Sequence, residues 1–197
     1  SVNGVSHFEA LIAFEEFINV LRPPANPRGG VTRTVGPSTM NAFQKTLAVA
    51  ALGVSAIATS AAADDLAAVQ TFYDIFTDPS PETHAAFLAA SSEDWKSYAD
   101  YSGDYQVREE YLPISEGIAA FMPDLQFTIE AMHQDGNFVT VRSRSIATPA
   151  GEFLGIDPEG RSFDIMNIDI HELRDGKLVN LWHIEDWATA MQQMSGQ

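Results

Sequence analysis

From Pro123 onward the apolar residues fall at every second position, and this alternation constrains the fold more than any other feature of the chain. Leu125, Phe127, Ile129 and Ala131 alternate with Gln126, Thr128 and Glu130. A period of two is that of a strand with one buried face. Asp135-Gly136 then signals a hairpin, and residues 138–147 return as a second strand. A Gly/Pro-rich connection over 149–160 separates this pair from a second one. Residues 161–173 read as a long third strand, Asp175-Gly176 as a tight turn, and 177–187 as a fourth strand.

Upstream the period is helical. Leu66, Val69, Phe72, Tyr73 and Phe76 share one face of a helix over 65–77, which Asp78-Pro79-Ser80-Pro81 breaks. Ser80 and Pro81 are the cap and first turn of a second helix over 81–90. Ser92-Glu93-Asp94 opens a short third segment at Trp95, and 98–105 is a Gly/Asp-rich loop. Residues 107–122 read as a helix in two pieces, interrupted at Pro113 and ended by Pro123. Helices followed by antiparallel hairpins define an α+β domain whose helices cover one face of a curved sheet. The 45% hydrophobic content supplies a core for it.

The first 63 residues read differently. Met40 to Lys45 is a short, singly charged stretch, 46–58 is uncharged and apolar, and Ala61-x-Ala63 fits a processing site. That order is the pattern of a secretory signal peptide over 40–63. Its apolar run is too short for a stable bilayer span. Residues 1–39 contain an amphipathic stretch with Phe8, Leu11, Ile12, Phe14, Phe17, Ile18 and Leu21, followed by Pro and Gly breaks, and carry no chemistry. They are expected to be an upstream extension of the reading frame or a cloning remnant. The mature domain is therefore expected to be 64–197 and to be secreted or periplasmic. Beyond Ala63 the chain carries 7 basic and 24 acidic residues, so the domain holds all of the net negative charge. Such a domain is a poor partner for nucleic acid or an anionic membrane surface. The chain contains no Cys, which removes disulfides, thiolate nucleophiles and Cys-based zinc sites.

The last hairpin carries the candidate chemistry. A two-residue turn at Asp175-Gly176 pairs Arg174 with Lys177, His171 with Asn180 and Asp169 with Trp182. One face then holds Ile165, Asn167, Asp169, His171, Leu173, Leu178, Asn180, Trp182, Ile184 and Asp186. The other holds Met166, Ile168, Ile170, Val179, Leu181, His183, Glu185 and Trp187. Carboxylates, His and Asn among Trp and aliphatic residues suit a small-molecule pocket. A one-residue bulge would move some of these side chains across the sheet. A carboxylate in an apolar cavity loses solvation, so its pKa rises toward the range of a general acid or base. Asp186 stands where a pocket mouth would be, and it also has the chemistry of a helix N-cap before Trp187-Ala188. Asp169 is about 13 Å from it on a flat sheet, too far for a hydrogen-bonded pair. Arg142 and Arg144 fit either anion binding or structural ion pairs. No HExxH, GxSxG, P-loop or GxGxxG sequence occurs.

Gly151-Glu152-Phe153-Leu154-Gly155-Ile156, Gly160-Arg161, Ile168-Asp169-Ile170-His171, Asp175-Gly176-Lys177-Leu178, the stretch from Trp182 to Asp186 and Met191-Gln192-Gln193-Met194 occur in this order. Upstream of them stand Phe72-Tyr73, Pro123-Asp124-Leu125 and Val139-Thr140-Val141-Arg142. With this order and spacing, residues 66–194 resemble the SnoaL-like polyketide cyclases, also called ester cyclases, of the NTF2-like superfamily. The resemblance implies a cone-shaped, curved antiparallel sheet with the N-terminal helices packed on its concave face over an apolar pocket. It implies a pocket Asp as acid/base for an intramolecular aldol closure, without metal or cofactor. Asp186 matches that Asp, Asp169 the acid on the preceding strand, and Trp182 the Trp four residues before the catalytic Asp. A homodimer is also implied.

The expected protein is thus an exported, cofactor-independent cyclase or isomerase acting on a small apolar carbonyl compound. Asp186 would move the proton, and Asp169, His171, Asn180 and Arg142 would orient polar groups. Trp182, Ile184 and Phe163 would form apolar wall. The competing expectation is a non-catalytic ligand-binding or dimeric accessory domain, which a filled cavity or an outward Asp186 would favour.

Overall fold

The computed structural model describes residues 55–196, with side chains described from Ala63. Residues 1–39, and the part of the expected signal peptide before Ser55, lie outside the described residues.

Helix α1 spans Ser55–Thr77 and helix α2 spans Pro81–Ala90. Ser80 caps α2 as expected: its side chain accepts from the Thr83 N–H, and Thr83 answers with its hydroxyl on the Ser80 N–H. The segment opening near Trp95 is a strand, β1 (Ser91–Tyr98), joined through a loop to a two-residue strand, β2 (Gln106–Val107). Trp95 is fully buried and Ser97 nearly so, which is the alternation of a half-buried strand. Helix α3 (Arg108–Phe121) runs unbroken through Pro113. The proline sits in the second turn, where the one acceptor it frees belongs to the exposed residue Glu109. Strands β3 (Gln126–Asp135), β4 (Phe138–Ala147), β5 (Phe163–Arg174) and β6 (Lys177–Glu185) follow, then a closing helix α4 (Trp187–Ser195).

The six strands form one curved, unclosed sheet in the order β2-β1-β6-β5-β4-β3. The sheet is mixed, a departure from the expected all-antiparallel one: β1 runs parallel to β6, and every other pairing is antiparallel. α1 packs across β3 and β6, α3 rests on α1 and β1, and α4 rests on β5. The core falls into two clusters under these helices. One centres on Phe72, Tyr73, Phe87, Trp95 and Leu181, the other on Ile114, Phe153, Phe163 and Met194.

The hairpin between β5 and β6 turns at Asp175-Gly176, both with positive φ (53° and 72°), as a tight turn that follows the twist of the strands requires. Arg174 pairs with Lys177 and Leu173 with Leu178, as the turn dictates. The register then slips, because Val179 is an extra residue and Glu172 faces Asn180. Leu178 and Val179 both bury their side chains, although neighbours on a regular strand point to opposite faces. Beyond the bulge β6 is turned over relative to the regular pairing.

Candidate functional site

The bulge decides which side chains meet. His171 opposes Leu181, Asp169 opposes His183, and Asn167 opposes Glu185. The inner face of β5 is the expected one. That of β6 past Val179 is the opposite one, carrying Leu181, His183 and Glu185 inward. Asp169 therefore shares a cavity with His183 and Glu185, rather than with Trp182 and Ile184.

The cavity has a volume of about 90 Å³. Phe72 and Phe76 of α1, Tyr111, Ile114 and Ile118 of α3, and Met122, Leu125 and Phe127 wall one side. Phe153, Phe163 and Trp187 wall the other, with ring centroids 5.3–6.4 Å apart. Its polar lining is confined to the sheet floor: Ser145, Asn167, Asp169, His183 and Glu185, with the Tyr111 hydroxyl above. Among the described residues, no three His, Asp or Glu side chains converge as a metal-ligand set.

Asp169 Oδ2 accepts a 2.9 Å hydrogen bond from the Tyr73 hydroxyl, which also lies 2.9 Å from His171 Nε2. Burial pushes the Asp169 carboxyl up to about 7; the Glu185 charge adds to this, while His183 and the Tyr73 bond oppose it. His183 Nδ1 lies 3.0 Å from Glu185 Oε1, and its Nε2 lies 3.4 Å from the Tyr111 hydroxyl, itself 2.7 Å from Ser97 Oγ. Burial works against the charge on His183, but Glu185 and Asp169 outweigh it and hold the imidazole above its ordinary value. Burial likewise works against the charge on Glu185, and His183 outweighs it. The floor thus sets His183 and Glu185, each favouring the other's charged form, beside a carboxyl whose two forms interchange near neutrality. Burial, aided by the neighbouring His183, drives His171 down to about 3, so His171 is neutral. Asn167 donates to Ser145 Oγ (2.7 Å) and Ser143 Oγ (3.2 Å), which leaves its buried Oδ1 as an acceptor without a protein partner.

Of the residues singled out in the sequence, Asp169 and Phe163 line the cavity. His171 is fully buried one layer behind it, reaching Asp169 only through Tyr73. Asp186 does not enter the cavity. It is exposed and caps α4, Oδ1 accepting from the Thr189 N–H (3.0 Å) and Oδ2 from the Thr189 hydroxyl (2.7 Å). Those bonds hold its carboxyl below the usual range, which suits a cap and not a base near neutrality. Trp182, Asn180 and Ile184 lie on the outer face because of the bulge. There Trp182 stacks on Tyr98, Asn180 donates to Glu172, and Ile184 is 69% exposed. Arg142 is also outside, 3.9 Å from Glu130.

Tyr73, Tyr111, His183 and Glu185 are the site residues that the alternation alone misses. The signal for the last two was the adjacent apolar pair Leu178-Val179, which a strictly alternating strand cannot bury. A second constellation, His84 with Ser115 (3.1 Å) and Glu116 (3.8 Å), has the order of a hydrolytic triad. Ser115 is fully buried in α3 and its hydroxyl donates to the Leu112 carbonyl, so it is not a nucleophile.

Solved structures share the fold. A protein from Jannaschia sp. CCS1 assigned as a SnoaL-like polyketide cyclase aligns at 18% identity over 68% of this chain and 94% of its own, with a TM-score of 0.58. IdmH from Streptomyces antibioticus, assigned as a polyketide cyclase, aligns at 24% identity over 64% of this chain and 97% of its own, with a TM-score of 0.53. AclR from Streptomyces galilaeus, assigned as a hydroxylase, aligns at 19% identity over 68% and 98%, with a TM-score of 0.54. No curated protein matches the chain. The family model for SnoaL-like polyketide cyclases matches residues 67–194, the helices, the sheet and the cavity between them, and the chain belongs to that family.

Proposed function

We propose that this domain is a cofactor-independent acid/base enzyme, an aldol-type cyclase or isomerase, acting on a small apolar carbonyl compound held in the cavity. The observation that carries the reading is the buried Asp169 carboxyl on the polar floor of a cavity walled by aromatic and aliphatic side chains, where burial pushes it up to about 7. In its ionised form Asp169 takes a proton from the carbon α to a carbonyl. The resulting enolate carbon attacks a second carbonyl of the same molecule, a C–C bond forms, and the new alkoxide takes the proton back from the Asp169 acid. His183, kept cationic by Glu185, is the positive group beside the developing oxyanion. Among the described residues the cavity lining holds no Lys or Arg, which suits an uncharged ligand.

The test is Asp169→Asn. Turnover of a cyclisable dicarbonyl should fall by at least about 10²-fold with an unchanged circular dichroism spectrum; full activity would end the proposal. The outward Asp186 favours a competing reading in which the cavity binds without catalysis. Native mass spectrometry separates the two: a co-purifying molecule released unchanged by both native chain and variant supports binding alone.

Two further readings belong to the same proposal. The domain is exported, and cleavage after Ala63 would leave intact the α1 packing that begins at Leu66. An N-terminus at Asp64 in secreted protein supports this, and one at Ser1 counts against it. The outer sheet face, with Phe138, Met166, Ile168, Ile170 and Ile184 exposed, is covered by a second copy of the chain. Its border carries both signs, Arg142 and Arg144 beside Glu130 and Asp164, so a twofold-related copy meets opposite charge.

A further inference from the structure

The group behind Asp169 is not needed for the proposed chemistry as such, yet it is built with economy. Asp169 Oδ2, the Tyr73 oxygen and His171 Nε2 form a chain with two contacts of 2.9 Å. Two contacts need two protons between three atoms. Tyr73 supplies one, and it remains a neutral phenol because burial and the Asp169 charge raise its pKa well above the ordinary value. The other must come from His171 or from Asp169 itself.

His171 is neutral and carries one ring proton, and its Nδ1 is buried without a hydrogen-bond partner. If the proton sits on Nε2, both contacts are satisfied and only an Nδ1 lone pair is stranded. If it sits on Nδ1, an N–H donor is stranded in the core, and Tyr73 must choose between His171 and an ionised Asp169. Protonating Asp169 on Oδ2 would reverse the chain and strand the same Nδ1–H. The arrangement with fewest losses has one direction.

We infer that Tyr73 and His171 form a directional hydrogen-bond lock, His171 Nε2–H donating to Tyr73 and Tyr73 O–H donating to Asp169 Oδ2, which reserves Asp169 Oδ1 for the exchangeable proton. This rests on the acid/base reading above and deepens it: Tyr73 and His171 are positioning residues that decide which carboxyl oxygen meets the ligand. The other groups around Asp169 do not compete for Oδ2. From β6 come His183 and Glu185, bonded to each other; from α3 comes Tyr111, bonded to Ser97; from β4 comes the apolar Val141. The two rings of the lock are packed on neighbouring rings, His171 edge-on to Phe72 and Tyr73 against Phe127.

The test uses the ligand-free, full-length chain with ¹⁵N-labelled histidine and ¹³C-labelled aspartate carboxyls. Long-range ¹H–¹⁵N correlation should show the His171 proton on Nε2 and a bare Nδ1 from pH 5 to pH 8. A proton on Nδ1, an even mixture, or titration of His171 in that range overturns the inference. In Tyr73→Phe the Asp169 carboxyl midpoint should rise by about one unit, because a donor to the ionised form is lost; an unchanged midpoint overturns it. His171→Gln places an amide N–H where Nε2–H stood and should keep the midpoint within about 0.3 units of the native one; a rise as large as that in Tyr73→Phe overturns the inference. These readouts need no turnover. An inert chain with the Nε2–H tautomer would refute the enzyme reading alone, whereas an active chain with the Nδ1–H tautomer would refute the lock alone.

Discussion

Asp169 carries a cost that scales with pH. Its folded-state pKa of about 7 lies above the ordinary 3.8. Between those values the folded chain retains a proton that the unfolded chain releases. Stability contributed by this group is therefore fully present below about pH 4 and is lost as pH rises to 7. Asp169→Asn, which keeps an acceptor for Tyr73 and removes the charge, should be more stable than the native chain at pH 8 by roughly 2–4 kcal/mol. The difference should vanish below pH 4, as read by urea unfolding across pH. The residue that proposes itself from the sequence, Asp186, behaves in the opposite way. Asp186→Ala should leave turnover within about twofold while lowering the urea midpoint through loss of the α4 cap. Both carboxylates were visible in the sequence. What separates them is solvent on one side and a ring of aromatics on the other, and only tertiary packing sets that. Glu185 gives a third measurement at this scale. Glu185→Gln removes the charge that keeps His183 protonated, so the His183 midpoint should fall in an NMR titration.

At the scale of the element, strands β3 to β6, both hairpin turns and the α2 cap were legible because each is written in short-range chemistry. Alternation, Asp-Gly pairs and a Ser-Pro start need no tertiary context. β1 escaped because its parallel partner, β6, is some eighty residues away in the chain, and nothing local in Ser91–Tyr98 says which strand it will meet. Pro113 misled for the reverse reason: the local rule is sound, but the one lost bond, to the exposed residue Glu109, is outweighed by the burial of Tyr111 and Ile114 on the same helix. The bulge at Val179 is the decisive element. Deleting Val179 should remove the bulge yet leave His183 opposite Asp169 and Glu185 opposite Asn167, because the pairs beyond the extra residue do not change. The expected result is a retained cavity floor with a lower thermal midpoint, read from a melting curve, because the buried Val179 side chain is lost.

For the whole molecule, the sheet divides the protein into two chemistries. One face and its helices enclose the cavity, and the other leaves a band of aliphatic and aromatic side chains in water, bordered by ion pairs. If a second copy covers that band, Ile184→Lys together with Ile170→Glu should shift sedimentation from dimer to monomer. Turnover per chain should stay within about threefold, since neither side chain touches the cavity. A monomeric native chain would refute the pairing. The alternation already places Met166, Ile168 and Ile170 on the face away from the pocket, whereas Ile184 reads as pocket wall until the bulge is known.

The extra residue at Val179 also has an evolutionary reading. Because the bulge absorbs one residue without moving the pairs beyond it, a chain lacking Val179 would set the same side chains of β6 opposite the same partners on β5. A lineage can thereby gain or lose that one codon and keep the reactive floor of its cavity intact. Aligning this chain with a relative that lacks the extra residue, without a gap at that position, would set every later residue of β6 one place out of step.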